Sequence, residues 1–231
     1  MLERFKAFWQ GVVLAPVVRL FLRLGISPDI VTLVGTLGVV VGALAFYPRG
    51  ELFWGTVVIT AFVFSDLIDG QMARVSGRTS KFGAFWDSTL DRLGDAAIFM
   101  GLALYFAGPG DDRLYLTLTL VCLSMGAVVS YARARAESLG LDAHVGIAER
   151  ADRLVIILVL TGLSGLFDLP ILLHLGLWVL AIASTVTVGQ RVWVVRRQAL
   201  AEAAAEESEQ EGDERHLQEG DGDAETGPEG R

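Results

Sequence analysis

Apolar residues run through this chain in long blocks broken by short polar turns. A helix that crosses the hydrocarbon of a bilayer needs about 20 mostly apolar residues. Segments near 29–47, 52–75, 82–107, 114–139, 149–167 and 170–197 reach or approach that length. Turn-forming clusters separate them: Tyr47-Pro48-Arg49-Gly50, Ser76-Gly77-Arg78, Gly108-Pro109-Gly110-Asp111-Asp112, the stretch from Gly140 to Gly146, and Asp168-Leu169-Pro170. The connections are short, so neighbouring helices run antiparallel. No repeat at a fixed period is visible. The pattern predicts an all-α membrane protein with six transmembrane helices.

The two ends differ from this core. Phe5, Phe8, Trp9, Val12 and Val13 fall roughly at helical spacing with Arg4, Lys6 and Gln10 between them, which predicts an amphipathic helix lying in the membrane interface. Ser27-Pro28-Asp29 then reads as a helix start, with serine as cap, proline in the first turn and an acid beside it. Residues 200–231 hold twelve Asp or Glu, two Arg and almost nothing apolar. Such a segment buries too little surface to offset its chain entropy, so 1–199 is expected to be the transmembrane domain and 200–231 a disordered acidic tail.

Charge sharpens the picture. The whole chain carries a formal net charge of −8, but the acidity belongs to the tail. Of the Lys and Arg before residue 200, only Arg49 and Arg113 lie on the side of the loops after spans one, three and five. The others lie on the opposite side, which the positive-inside bias makes cytoplasmic. Both termini are therefore expected in the cytoplasm of a multi-pass protein of the cell membrane, with no cleaved signal peptide. Cys122 stands alone, and His144, His174 and His216 have no ligand spacing, so neither a disulfide framework nor a zinc site is expected. No nucleic-acid partner is expected either.

The candidate chemistry sits where spans two and three meet. Asp66 and Asp69 are three apart and Asp87 and Asp91 four apart, so each pair shares one helix face. In an antiparallel hairpin Asp66 comes level with Asp91, and Asp69 with Asp87. Carboxylates so close raise one another's pKa unless cations neutralise them. Hard oxygen ligands suit Mg2+ or Mn2+, and carboxylates holding two such ions are a recurring device for phosphoryl transfer. Gly70 and Gly83 leave room for a ligand, and Arg74 is placed to bind a phosphate. The alternative is that the acids are solvated helix ends or ion-pair partners of Arg74 and Arg92. Ionisable groups within membrane helices are expensive, which favours a functional reading. Asp95, one turn beyond Asp91, is either a support for the site or purely structural.

These residues resemble the signature of the CDP-alcohol phosphotransferases, D-x-x-D-G-x-x-A-R-x8-G-x3-D-x3-D, at every fixed position from Asp66 to Asp91. The resemblance implies displacement of CMP from a CDP-linked lipid by an alcohol. It implies that Asp66, Asp69, Asp87 and Asp91 hold the metals, two ions per site. It makes Asp91 also the general base, and Gly70, Arg74 and Ser80 contacts of CDP-diacylglycerol. The stretch Asp29, Ile30, Val31, Thr32 resembles the family's nucleotide-binding segment, with backbone donors at a helix N-terminus. A homodimer is likewise implied. Gly35, Gly38 and Gly42 line one face of span one, where they serve packing within one chain or a dimer seam.

The acceptor is read from the remaining cytoplasmic arginines. Several of them converging on the metal site suggest an alcohol that carries its own phosphate. Ser130 to Gly140, followed by Glu149-Arg150-x-x-Arg153, resembles the actinobacterial branch of that family, whose acceptor is an inositol phosphate. Arg133, Arg153 and Arg191 are the expected phosphate contacts. Glycerol 3-phosphate is the competing acceptor within the class. A divalent-cation transporter is the competing class, though it would place its acids on separated helices near the bilayer midplane.

Overall fold

The computed structural model describes residues 15–77, 80–147 and 149–222, with the side chains of 66, 67, 208, 209 and 211–222 outside that description. The expected interfacial helix over residues 5–13 also lies outside the described residues. Those described form helices and no strand: α1 (Ala15–Arg23), α2 (Pro28–Phe46), α3 (Leu52–Val63), α4 (Ser65–Ser76), α5 (Lys81–Ala107), α6 (Arg113–Ser138), α7 (Arg150–Phe167) and α8 (Pro170–Gly222).

Local sequence sets the boundaries. Ser27 caps α2, its hydroxyl accepting from the Ile30 N–H at 3.4 Å, and Pro28 occupies the first turn, where its missing N–H costs nothing. Gly77 ends α4 with φ +64°, a left-handed conformation that suits glycine. Asp112 caps α6 by accepting from the N–H groups of Leu114 at 2.9 Å and Tyr115 at 3.2 Å. The second expected span is interrupted. Helix α3 stops at Val63 and α4 restarts at Ser65, whose hydroxyl donates back to the Phe62 carbonyl at 2.6 Å, a competing bond that bends helices.

The helices close into a ring in which α2 packs on α5, α5 on α6, α6 on α8, α8 on α7, α7 on α3 and α3 back on α2. Val39, Ala43, Ile59, Ile98, Leu102, Ile157 and Leu177 fill its centre. A smaller cluster of Val18, Val31 and Met72 fastens α1 and α4 to the start of α2. The glycine face of α2 belongs to this packing: a Cβ on Gly35 would lie 1.8 Å from the Ser65 hydroxyl, and one on Gly38 2.2 Å from the Phe62 ring. Packing within one chain therefore accounts for that face.

Among the described residues, four stretches are long and apolar enough to cross a membrane: Pro28–Arg49, Leu52–Ser76, Arg113–Ser138 and Pro170–Glu207. The protein is thus membrane-embedded. The remaining two of the six expected spans correspond to α5 and α7, which carry Asp91, Arg92 and Asp95, and Arg150, Asp152 and Arg153, inside their apolar stretches. Their polarity comes from the candidate site itself. The expected disorder from residue 200 is corrected as far as Gly222, because α8 continues to that residue. Propagating an existing helix avoids the cost of nucleation, and the Ala/Glu-rich composition of 201–211 has high helix propensity.

Candidate active site

The starts of α2, α5 and α7 and the ends of α4 and α6 lie at one end of the ring, and two cavities open there. The first, of about 340 Å³, is lined by Asp29, Thr32, Asp69, Gly70, Ser80 and Gly83, together with Asp87, Asp91 and Arg150. Helical spacing brings Asp87 and Asp91 onto the cavity face of α5, and Asp69 faces them from α4. Asp69 is 5% exposed, a depth at which a carboxylate demands compensation. The side chain of Asp66 lies outside the described residues.

The rim is built by capping. Ser80 starts α5 by accepting from the Gly83 N–H at 2.9 Å. A Cβ on Gly83 would come within 3.2 Å of that hydroxyl and 3.7 Å of the Asp29 carboxylate, so glycine keeps the passage between them open. The Trp86 indole donates to the Asp29 carbonyl at 3.3 Å and ties α5 to the start of α2.

Three expected CDP-lipid contacts sit elsewhere. Ile30 is exposed, Val31 is buried against Val18 and Met72, and the N–H groups of both are taken up by Ser27. Starting the helix at Ser27 consumes the donors expected to face the nucleotide. Arg74 does not line the cavity; its guanidinium folds back over Gly70, donating to that carbonyl at 3.2 Å.

The second cavity, of about 460 Å³, lies beside the first and is lined by Arg92, Arg133, Arg150, Arg153 and Arg191, with Ser130, Glu137 and Glu149. All three arginines expected at the acceptor meet here. Arg153 and Arg191 are each 3% exposed, and buried guanidinium groups persist only with partners. Arg191 donates to the Val145 carbonyl at 2.9 Å and to that of Val129, clasping the loop before α7. Gln198 clasps the same loop through both backbone groups of Asp142, at 2.8 and 2.6 Å. Arg133 pairs with Glu137 at 2.9 Å and contacts His144. His144 donates through its backbone N–H to Asp142 at 2.8 Å, and its ring is 2.6 Å away, which holds the Asp142 carboxyl below the usual carboxylate range.

Arg150 borders both cavities, which the sequence alone did not reveal. It pairs with Asp91 at 2.8 Å and with Asp95 at 3.3 Å, while Arg153 reaches the other oxygen of Asp95 at 3.4 Å. Asp95 is thus the acid that sets two arginines between the sites. The signal was present in the spacing: Asp91 and Asp95 are four apart on α5, and Arg150 and Arg153 three apart on α7.

The first cavity fits a hard divalent cation in chemistry, since its polar lining is largely carboxylate oxygen and one of those acids is buried. Among the described residues no three acid, imidazole or thiol groups converge tightly enough to ligate one ion, the Asp66 side chain standing outside that set.

Comparison with known proteins agrees with this arrangement. Residues 25–189 match the CDP-alcohol phosphatidyltransferase family profile. A phosphatidylinositol phosphate synthase of Streptomyces avermitilis is 53% identical over 215 residues, covering 90% of this chain and 88% of the relative. The crystal structure of the Mycobacterium tuberculosis phosphatidylinositol phosphate synthase with CDP-DAG bound superposes with a TM-score of 0.75 at 42% identity, covering 79% of this chain and 93% of that one. The same enzyme in complex with manganese and citrate gives 0.76 at 43% identity, covering 79% and 88%. This chain belongs to the CDP-alcohol phosphatidyltransferase family.

Proposed function

We propose that this chain transfers the phosphatidyl group of CDP-diacylglycerol to 1D-myo-inositol 3-phosphate in a metal-dependent reaction that releases CMP. The observation that carries the reading is the union of two cavities through Arg150, one lined by acids and small residues and the other by five arginines. The names of the relatives support the same acceptor.

In this reading the cytidine end of the lipid lies toward Asp29 and Thr32, and its pyrophosphate crosses the gap that Gly70, Ser80 and Gly83 leave. The inositol hydroxyl attacks the phosphorus that bears diacylglycerol. A P–O bond to inositol forms as the bond to CMP breaks, and the hydroxyl proton passes to the Asp91 carboxylate. Two divalent cations held by Asp66, Asp69, Asp87 and Asp91 would neutralise the pyrophosphate and the departing CMP. The acceptor's phosphate sits among Arg133, Arg153 and Arg191, which turns binding energy remote from the reacting hydroxyl into orientation. Arg74, held over Gly70, adds positive charge beside the pyrophosphate.

Helices α5 and α7, of 27 and 18 residues, complete six spans with their charged turns at the cytoplasmic face. The arginine bias puts both termini and the site in the cytoplasm.

The test is product formation from CDP-diacylglycerol with inositol 3-phosphate, inositol or glycerol 3-phosphate offered separately, with Mg2+ or Mn2+ and with chelator. Turnover is expected with inositol 3-phosphate and metal only. Turnover confined to glycerol 3-phosphate overturns the acceptor, and full turnover in chelator overturns the metal requirement.

A further inference from the structure

Arg150 occupies a position that neither cavity explains alone. Its guanidinium grips Asp91 at 2.8 Å and Asp95 at 3.3 Å from the wall that divides the cavities, and it lines both. A divalent cation bound to Asp91 competes with the guanidinium for carboxylate lone pairs and repels it. The place left to that guanidinium is the arginine-lined cavity, where it remains anchored by Asp95.

We propose that Arg150 is a positioning residue shared between the two cavities, so that a divalent cation taking Asp91 releases Arg150 toward an acceptor phosphate. The inference rests on the reading of Asp91 as a metal ligand. Its physical basis is charge balance. Asp91 and Asp95 are matched by Arg150 and Arg153; a cation on Asp91 leaves that group over-positive, and a phosphate dianion beside Arg153 restores the balance. Linkage is reciprocal, so the phosphate must tighten the cation by the same factor as the cation tightens the phosphate. Ordering follows as well: Arg150, which already lines the second cavity, is released from Asp91 for a phosphate only once the cation is in place.

The experiment uses the purified full-length protein in detergent micelles, with Mn2+ binding followed by electron paramagnetic resonance of the free ion, in the absence of CDP-lipid and so apart from turnover. Wild-type protein is expected to bind Mn2+ about tenfold more tightly when saturated with inositol 3-phosphate, within the usual range of site-to-site coupling. Arg150→Gln is expected to bind Mn2+ at least as tightly as wild type without the acceptor, and to lose the response to it. The wild-type measurement stands by itself where that variant fails to fold. Mn2+ affinity in wild type that inositol 3-phosphate leaves unchanged overturns the proposal, as does a response that survives intact in Arg150→Gln. Asp87→Asn separates the two levels of the argument. If that variant binds Mn2+ as wild type does, the metal-site reading falls and this inference with it. If it loses Mn2+ while wild type shows no coupling, only the inference falls.

Discussion

At the scale of single residues, Asp95 offers the sharpest distinction between support and chemistry, because its two oxygens divide between Arg150 at 3.3 Å and Arg153 at 3.4 Å. Asp95→Asn keeps the shape but removes the charge that holds both guanidinium groups. The expected result is a KM for inositol phosphate raised about tenfold, a KM for CDP-diacylglycerol within about twofold of wild type, and a stability loss of about 1–3 kcal/mol. Steady-state kinetics with each substrate varied in turn, plus thermal unfolding, measure all three. Asp91→Asn should act differently, lowering kcat by about 10³-fold or more while the protein stays folded, since a general base alone contributes about 10²–10⁴. Near-normal turnover would remove Asp91 from that role. Which residues were legible follows from what spacing encodes. Asp87 and Asp91 share the cavity face of α5, as a four-residue interval on a helix requires, and Asp69 lines the same cavity from α4. Ile30 and Val31 lie off the cavity lining, and Ser27 takes their N–H groups, a competition that spacing alone does not state. Arg150 was read only as part of the Glu149-Arg150-x-x-Arg153 stretch, because its contact with Asp91 depends on how α7 is placed against α5, which no local pattern states.

At the scale of elements, close helix approach sets where the site's walls stand. A Cβ on Gly101 of α5 would lie 2.6 Å from the Ala43 carbonyl of α2, a backbone atom that no rotamer change can move, whereas one on Gly94 would meet Val39 at an ordinary 3.7 Å. Gly101→Ala is therefore expected to destabilise by about 1–3 kcal/mol, as overpacking does, and Gly94→Ala to be neutral or slightly stabilising. Thermal unfolding of both in the same detergent checks the contrast. Equal midpoints would mean that α2 and α5 can separate without cost. The α2–α5 contact also carries the Asp29–Trp86 bond, so Gly101→Ala should raise the KM for CDP-diacylglycerol more than that for the acceptor. Long apolar blocks made the spanning stretches legible in the sequence, but not α1, which falls between the expected interfacial helix and the Ser27 start. The break at Phe64 was not, because it arises from the Ser65 hydroxyl bonding to Phe62 against Gly35, a contact between α2 and α4.

At the scale of the whole molecule, the ring of helices and the projecting end of α8 are separable. The helix runs from Pro170 to Gly222, yet its last clasp to the rest of the protein among the described contacts is Gln198 on Asp142, and residues 201–207 are exposed. Composition read the polar tail as a segment with too little apolar surface to bury. It did not reveal the helix, because disorder was argued from missing core contacts, while a helix already nucleated inside the membrane needs only good formers such as Ala and Glu to continue. A chain ended after Glu207 keeps both clasps, both cavities and the ring. Its turnover is expected to stay within about twofold of wild type and its unfolding midpoint within about 2 °C, since surface changes away from contacts seldom exceed about 0.5 kcal/mol. Circular dichroism should fall by the helix contributed by 208–222. A chain ended after Val195 is the informative counterpart, because it removes Gln198 and frees the loop that Arg191 also holds. The acceptor KM should then rise while the CDP-diacylglycerol KM does not. If both truncations behave alike, the loop owes its position to Arg191 alone, and the acceptor cavity is built without help from the end of α8.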